Sequence, residues 1–174
     1  MRRLLLSLFL FVAVLPLHAQ QGPQDLHPYF SPNGGCTQAI VDSLNSAKKS
    51  VLVQAYSFTS TPIARALVNA HKRGVDVQII LDKSNLSDRY TAATFLANEG
   101  IPTFIDAQYK IAHNKCIIID GITVITGSFN YTKAAENGNA ENVLVINNAP
   151  ELAAKYAANW KMHLSRSEPY QAKY

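Results

Sequence analysis

The sequence predicts an α/β domain in which a mixed β-sheet is covered by helices on both faces. Three observations carry that prediction. The β-rich runs VLVQAYSF, VDVQIILD and KCIIIDGITVIT recur along the chain. Segments with apolar residues at helical spacing separate them. One run contains an Asp-Gly pair flanked by apolar residues, the signal of a hairpin, so antiparallel pairing joins the parallel pairing that strand–helix alternation produces.

Taken in order, residues 20–35 are rich in Pro, Gly and polar side chains and read as an irregular opening segment. Ile40, Val41, Leu44 and Ala47 repeat at helical spacing, and VLVQAYSF follows as a buried strand. Thr61-Pro62 opens the next helix, with Thr61 as cap and proline at the first position, and Gly74 closes it. VDVQIILD (75–82) is a strand, 87–99 a helix ending at Gly100, and IPTFI a short strand. Asp120-Gly121 turns a hairpin within KCIIIDGITVIT. The stretch from Gly127 to Glu136 is a loop and helix, NVLVI (142–146) a strand, and the chain closes on a helix. Leu152, Tyr156, Trp160 and Leu164 form its core-facing stripe, with Trp160 as the anchor.

The chain begins with Arg2 and Arg3, an apolar run from Leu4 to Leu15, then Pro16 and Ala19, the layout of a secretory signal peptide cut after Ala19. That run falls short of the roughly 18–20 residues needed to span a bilayer. Residues 20–174 then form a single domain destined for the periplasm or the medium. The formal charge of +4 is partly the leader's, so it neither requires nor excludes a polyanionic substrate. Export makes a bridge between the two cysteines, Cys36 and Cys116, chemically possible, and neither has the spacing of a zinc site. A buried thiol or a structural bridge fits them better than catalysis.

The chemistry concentrates in HNKCIIID, where His113, Lys115 and Asp120 form an H-x-K-x-x-x-x-D pattern, and in the GSFNYTKAAENGNAEN segment that follows. Residues two apart on an extended strand share a face. An imidazole there can attack phosphorus while an ammonium holds the non-bridging oxygens. The pattern therefore points to phosphodiester cleavage with no metal and no cofactor, the cation coming from side chains. Asp120 is both a motif residue and a plain turn residue. Of the five histidines, His18, His27, His71 and His163 lack this context and read as solvated or structural.

The chain here resembles the phospholipase D superfamily, whose signature is H-x-K-x-x-x-x-D followed by G-S-x-N. His113, Lys115, Asp120, Gly127, Ser128 and Asn130 fit it without departure. AYSFTS, the 73–77 run, AEN (140–142) and the Trp-bearing helix extend the likeness over nearly all of residues 30–174. The resemblance implies the phospholipase D-like phosphodiesterase fold. It also implies that His113 forms a covalent phosphohistidine, that Lys115, Ser128 and Asn130 bind phosphate oxygens, and that Glu141 accepts a hydrogen bond from the other nitrogen of the imidazole. Asp120 would then be structural.

One copy of the motif leaves the leaving group without a proton donor. A homodimer, with the active site shared across its two-fold interface, supplies the second histidine. The expected activity is a non-specific endonuclease acting on DNA, with RNA as a further candidate substrate and Lys72, Arg73, Lys110 and Lys133 available to track a backbone. Tyr109 and Phe129 are candidates to contact bases. The alternative is a phospholipase D hydrolysing phosphatidylcholine-type membrane lipids, and a third class is a binding dimer without turnover. No amphipathic membrane-surface helix with a large apolar face follows the leader, which disfavours the lipid reading.

Overall fold

The computed structural model describes residues 24–88 and 90–172. The expected signal peptide, 1–19, lies outside them. Eight strands form one sheet: β1 (Asp25–Ser31), β2 (Ser50–Ala55), β3 (Asp76–Asp82), β4 (Thr103–Asp106), β5 (Cys116–Ile119), β6 (Thr123–Gly127), β7 (Glu141–Asn147) and β8 (Glu168–Pro169). Their spatial order is β1-β7-β6-β5-β2-β3-β4-β8. β2, β3 and β4 run parallel, and every other neighbouring pair is antiparallel. The helices are α1 (Cys36–Ser46), α2 (Thr61–Lys72), α3 (Ala93–Asn98), α4 (Lys133–Asn137) and α5 (Pro150–Leu164).

Period-two alternation divides the core between the two faces of the sheet. Val51, Val53, Ile117 and Ile119 pack with the buried residues of α1 to α4. Cys116, Ile118, Val124 and Ile146 pack with Ala153 and Trp160 of α5, and Leu152, Tyr156 and Leu164 complete that layer. Trp160 is 2% exposed and donates its indole N–H to the Val53 carbonyl at 2.9 Å, so it anchors the core as expected. Cys36 and Cys116 are both buried and unpaired.

Three elements differ from the sequence reading. The opening segment is not irregular throughout: Asp25–Ser31 is an edge strand in full register with β7. Pro28 hid it, and an edge position is where a strand tolerates proline. The helix expected over 87–99 is reduced to α3, preceded by a 3₁₀ turn at Lys83–Leu86. Side chains compete for the backbone there: Asn85 donates to the Tyr56 and Asp82 carbonyls, and the Thr91 hydroxyl both donates to Asn85 and accepts from Ala93 N–H. Finally, α2 is capped by Ser60, which puts Thr61 inside the helix and Pro62 at its second residue.

The hairpin is as expected. Asp120 and Gly121 take φ of 54° and 68°, both positive as a type I′ turn requires, and Ile122 N–H closes it on the Ile119 carbonyl.

Candidate active site

Strand directions gather the motif. β2 and β6 end, and β5 and β7 begin, at one end of the sheet, with Gln54 opposite Cys116, Cys116 opposite Thr126, and Gly127 opposite Val143. His113 and Lys115 lead into β5, Ser128 and Asn130 lead out of β6, and Glu141 opens β7. Four segments distant in sequence therefore meet at one end of the sheet.

His113 is exposed, whereas Lys115 is 7% exposed. The Lys115 ammonium donates to the His113 carbonyl at 2.8 Å and lies 5.3 Å from the centre of the Tyr56 ring. That same ring packs against the His113 imidazole at 4.6 Å, tilted by 55°. Tyr56 thus supports both side chains, cation–π contact included. Burial pulls the Lys115 pKa below the ordinary lysine value, and the nearby Glu141 carboxylate partly restores it.

The loop after β6 approaches β7 closely. A side chain at Gly127, whose φ is 153°, would place its Cβ 2.2 Å from the Asn142 carbonyl oxygen, so only glycine fits. Ser128 Oγ accepts from the Asn142 backbone N–H at 3.1 Å and its side-chain amide at 3.3 Å, leaving the serine O–H free to donate. The buried Asn130 amide oxygen has no partner, an arrangement found at functional sites more than in ordinary cores. The Lys115 ammonium and the free Ser128 hydroxyl are donors suited to phosphate oxygens, whereas the orphaned Asn130 oxygen is an acceptor and only its NH₂ could serve there.

His113 opens into a groove of about 390 Å³ that also borders Tyr109, Ile111 and Met162. Its far wall is His163, 7% exposed and hydrogen-bonded at 2.6 Å to the fully buried Asp106, a structural pair that ties α5 to β4. A depression of about 430 Å³ lies apart, over Thr59–Thr61, and does not touch His113.

Several expected site residues fall elsewhere. Asp120 stands at the opposite end of β5, roughly 15 Å of extended chain from Lys115. Its carboxylate accepts from the backbone N–H groups of Lys48, Lys49 and Ser50 at 2.7–2.9 Å. It is a structural clamp and leaves the catalytic set, in agreement with the turn reading. Partial desolvation acts to raise its pKa, but those three N–H donors and the Lys49 charge outweigh it and hold the carboxyl below the usual range. Glu141 is near Lys115, yet among the described residues its carboxylate is bonded to the Asn139 amide at 3.1 Å and not to His113. Phe129 is 1% exposed and packs in the core, so it is closed to a base. Lys72 pairs with Glu99 at 2.8 Å, and Arg73 donates to the Leu44 and Ala47 carbonyls behind α1, so neither is a free cation. Lys110 and Lys133 are exposed. Burial pushes the Cys116 thiol up to about 12, which removes it as a nucleophile.

Tyr56 was missed by sequence reasoning. The available signal was a tyrosine at the carboxyl end of a buried strand, where functional side chains of α/β sheets collect.

Known proteins share this arrangement. The family described as "Cardiolipin synthase, PLD-like domain" matches residues 40–164. A protein of Rickettsia bellii named phospholipase D is 46% identical over 138 residues, covering 79% of this chain and 68% of its own length. The structure of Nuc from Salmonella typhimurium, titled a phospholipase D family member, is 41% identical with a TM-score of 0.83, covering 86% of this chain and 99% of that one. NucT from Helicobacter pylori is 26% identical with a TM-score of 0.79, covering 85% and 100%. With the signature residues other than Asp120 carried at one end of the sheet and the fold shared over these lengths, the chain belongs to the phospholipase D superfamily of phosphodiesterases.

Proposed function

We propose that the protein is a metal-independent endonuclease that cleaves DNA, and also RNA, through a phosphohistidine. The observation that carries this is the exposed His113 imidazole beside the buried Lys115 ammonium, with Ser128 and Asn130 within the same cluster. An imidazole nitrogen of His113 bonds to phosphorus as the bond to the leaving oxygen breaks, and that oxygen takes a proton from a second imidazolium. Water then attacks phosphorus, gives its proton to the second imidazole, and releases His113 and a phosphomonoester. Lys115 neutralises charge on the oxygens throughout, and the Asn130 NH₂ donates a neutral hydrogen bond to them.

The second imidazole comes from a symmetry-related subunit. Exposed apolar side chains beside the site support such an interface: Ile111, two residues before His113, is 49% exposed, and Phe30, paired in register with Asn142, is 64% exposed. Export to the periplasm or medium rests on the 1–19 leader. Among the described residues no helix is long and apolar enough to cross a membrane.

Near-complete overlap with the lengths of Nuc and NucT supports nucleic acid as substrate. The lipid reading, hydrolysis of phosphatidylcholine-type lipids, is favoured by the Rickettsia relatives named phospholipase D. This chain spans 68% and 65% of two of them. Residues 20–174 incubated in excess EDTA with plasmid DNA, RNA and labelled phosphatidylcholine, beside His113→Ala, decide between them. EDTA-resistant nicking lost in the variant supports the nuclease, choline release without nicking the lipase, and no turnover a binding dimer. Full activity of a monomer in sedimentation would exclude the shared site.

A further inference from the structure

The groove over Thr59–Thr61 is unused by the catalytic cluster. Two depressions, of about 300 and 430 Å³, meet there and share Thr59, Ser60 and Thr61. Each alone reaches the lower end of the range of about 300–1,000 Å³ common for ligand sites. The floor adjoins the phosphate loop, because the N–H groups of Thr59 and Ser60 both donate to the carbonyl of Tyr131, the residue after Asn130.

Four features suit this floor to an anion. It is the N-terminus of α2, a twelve-residue helix whose first intrahelical bond runs from Ala64 N–H to the Ser60 carbonyl, so the Thr61 N–H precedes the bonded ladder. Ser60 is 5% exposed, and its hydroxyl makes neither a capping bond nor any other among the described residues. The residue is largely enclosed, but its hydroxyl is not sealed in the interior, so it reaches the groove as a free donor. Arg65 lies one helical turn beyond Thr61 on the same face and borders one depression, and Lys133 borders the other. Neither cation has an acidic partner among the described residues. The one carboxylate there, Glu136, is already engaged by the N–H groups of Gly35 at 3.2 Å and Thr37 at 2.6 Å. At the Arg65 end the rim carries exposed aromatic rings, Tyr90 at 74% and Phe95 at 41%, of the kind on which bases stack.

We infer that this groove is a second phosphodiester-binding subsite, where Ser60, Thr61, Arg65 and Lys133 hold a phosphate of the same polynucleotide further along from the one cut at His113. The inference rests on the nuclease reading and adds to it a preference for polymers over small diesters.

The test compares wild type, Ser60→Ala and the double variant Arg65→Ala/Lys133→Ala on a 12-nucleotide oligomer and on bis(4-nitrophenyl) phosphate. The double variant should raise KM for the oligomer about tenfold and reduce the salt slope of log KM by about 1–2, since each phosphate contact contributes roughly one. Ser60→Ala should raise that KM about threefold, and turnover of the small diester should stay within twofold, with melting temperatures unchanged. An oligomer KM that does not move, or an equal loss on both substrates, overturns the subsite while leaving the nuclease reading intact. Wild type that turns over the small diester and phosphatidylcholine vesicles but no oligomer overturns the nuclease reading itself, and the subsite with it.

Discussion

Replacing Asp120 with asparagine tests whether the motif's aspartate is a clamp or a catalyst. One carboxylate oxygen accepts from Lys49 and Ser50 N–H at 2.7 and 2.9 Å, and the other from Lys48 N–H at 2.9 Å. Asparagine keeps the side-chain shape and tolerates the positive φ of this position. Its amide oxygen can retain two of the bonds, but its NH₂ then faces the third N–H. The substitution loses one hydrogen bond and the charge assistance of the others, about 1.5–3 kcal/mol at a site part open to water. For a domain of this size that lowers Tm by roughly 3–12 °C. Because the folded carboxyl titrates below its unfolded value, the stabilisation is complete above the unfolded pKa of about 3.9 and fades as pH falls through the lower folded one. The Tm gap between wild type and variant should therefore be full at pH 7 and narrow below about pH 4. Circular dichroism melts at several pH values measure it, and turnover of a small diester well below Tm should stay within about twofold. A variant that melts like wild type but loses turnover a thousandfold would refute the placement of Asp120 outside the chemistry.

Three further outcomes follow from the geometry. Lys115 must be charged to hold phosphate, and burial lowers its pKa, so kcat/KM should decline on the alkaline side with a midpoint below the ordinary lysine value; Glu141→Gln removes the opposing influence and should move that midpoint lower still, as a pH–rate profile would show. Both cysteines are buried, and Cys116 is pushed up to about 12, so iodoacetamide should alkylate neither in the folded protein at pH 8 and both after unfolding in urea, by mass spectrometry. Trp160→Phe keeps most of the apolar contact but removes the indole N–H bond to the Val53 carbonyl, costing about 0.5–1.5 kcal/mol in urea melts with kcat unchanged.

Local chemistry decides some positions outright. Alternation along Cys116–Ile119 allots its four side chains to two faces whatever the neighbouring strands, and Asp120-Gly121 makes the only kind of turn that fits two positive φ values. His113, Lys115, Ser128 and Asn130 were legible for the same reason: their chemistry is carried by residue type at short spacing. Long-range pairing decides the rest. β1 exists because β7 offers it an edge, against the advice of Pro28, and Asp120 is a clamp because β2 begins at Ser50, seventy residues away in the chain. Tyr56 packs on His113, and the Ser60 groove adjoins the loop after β6, only because β2 ends where β5 begins. Residue type and spacing set which groups the chain has for its chemistry; which of them meet depends on strand direction and register, properties of the assembled sheet that no short window of sequence contains.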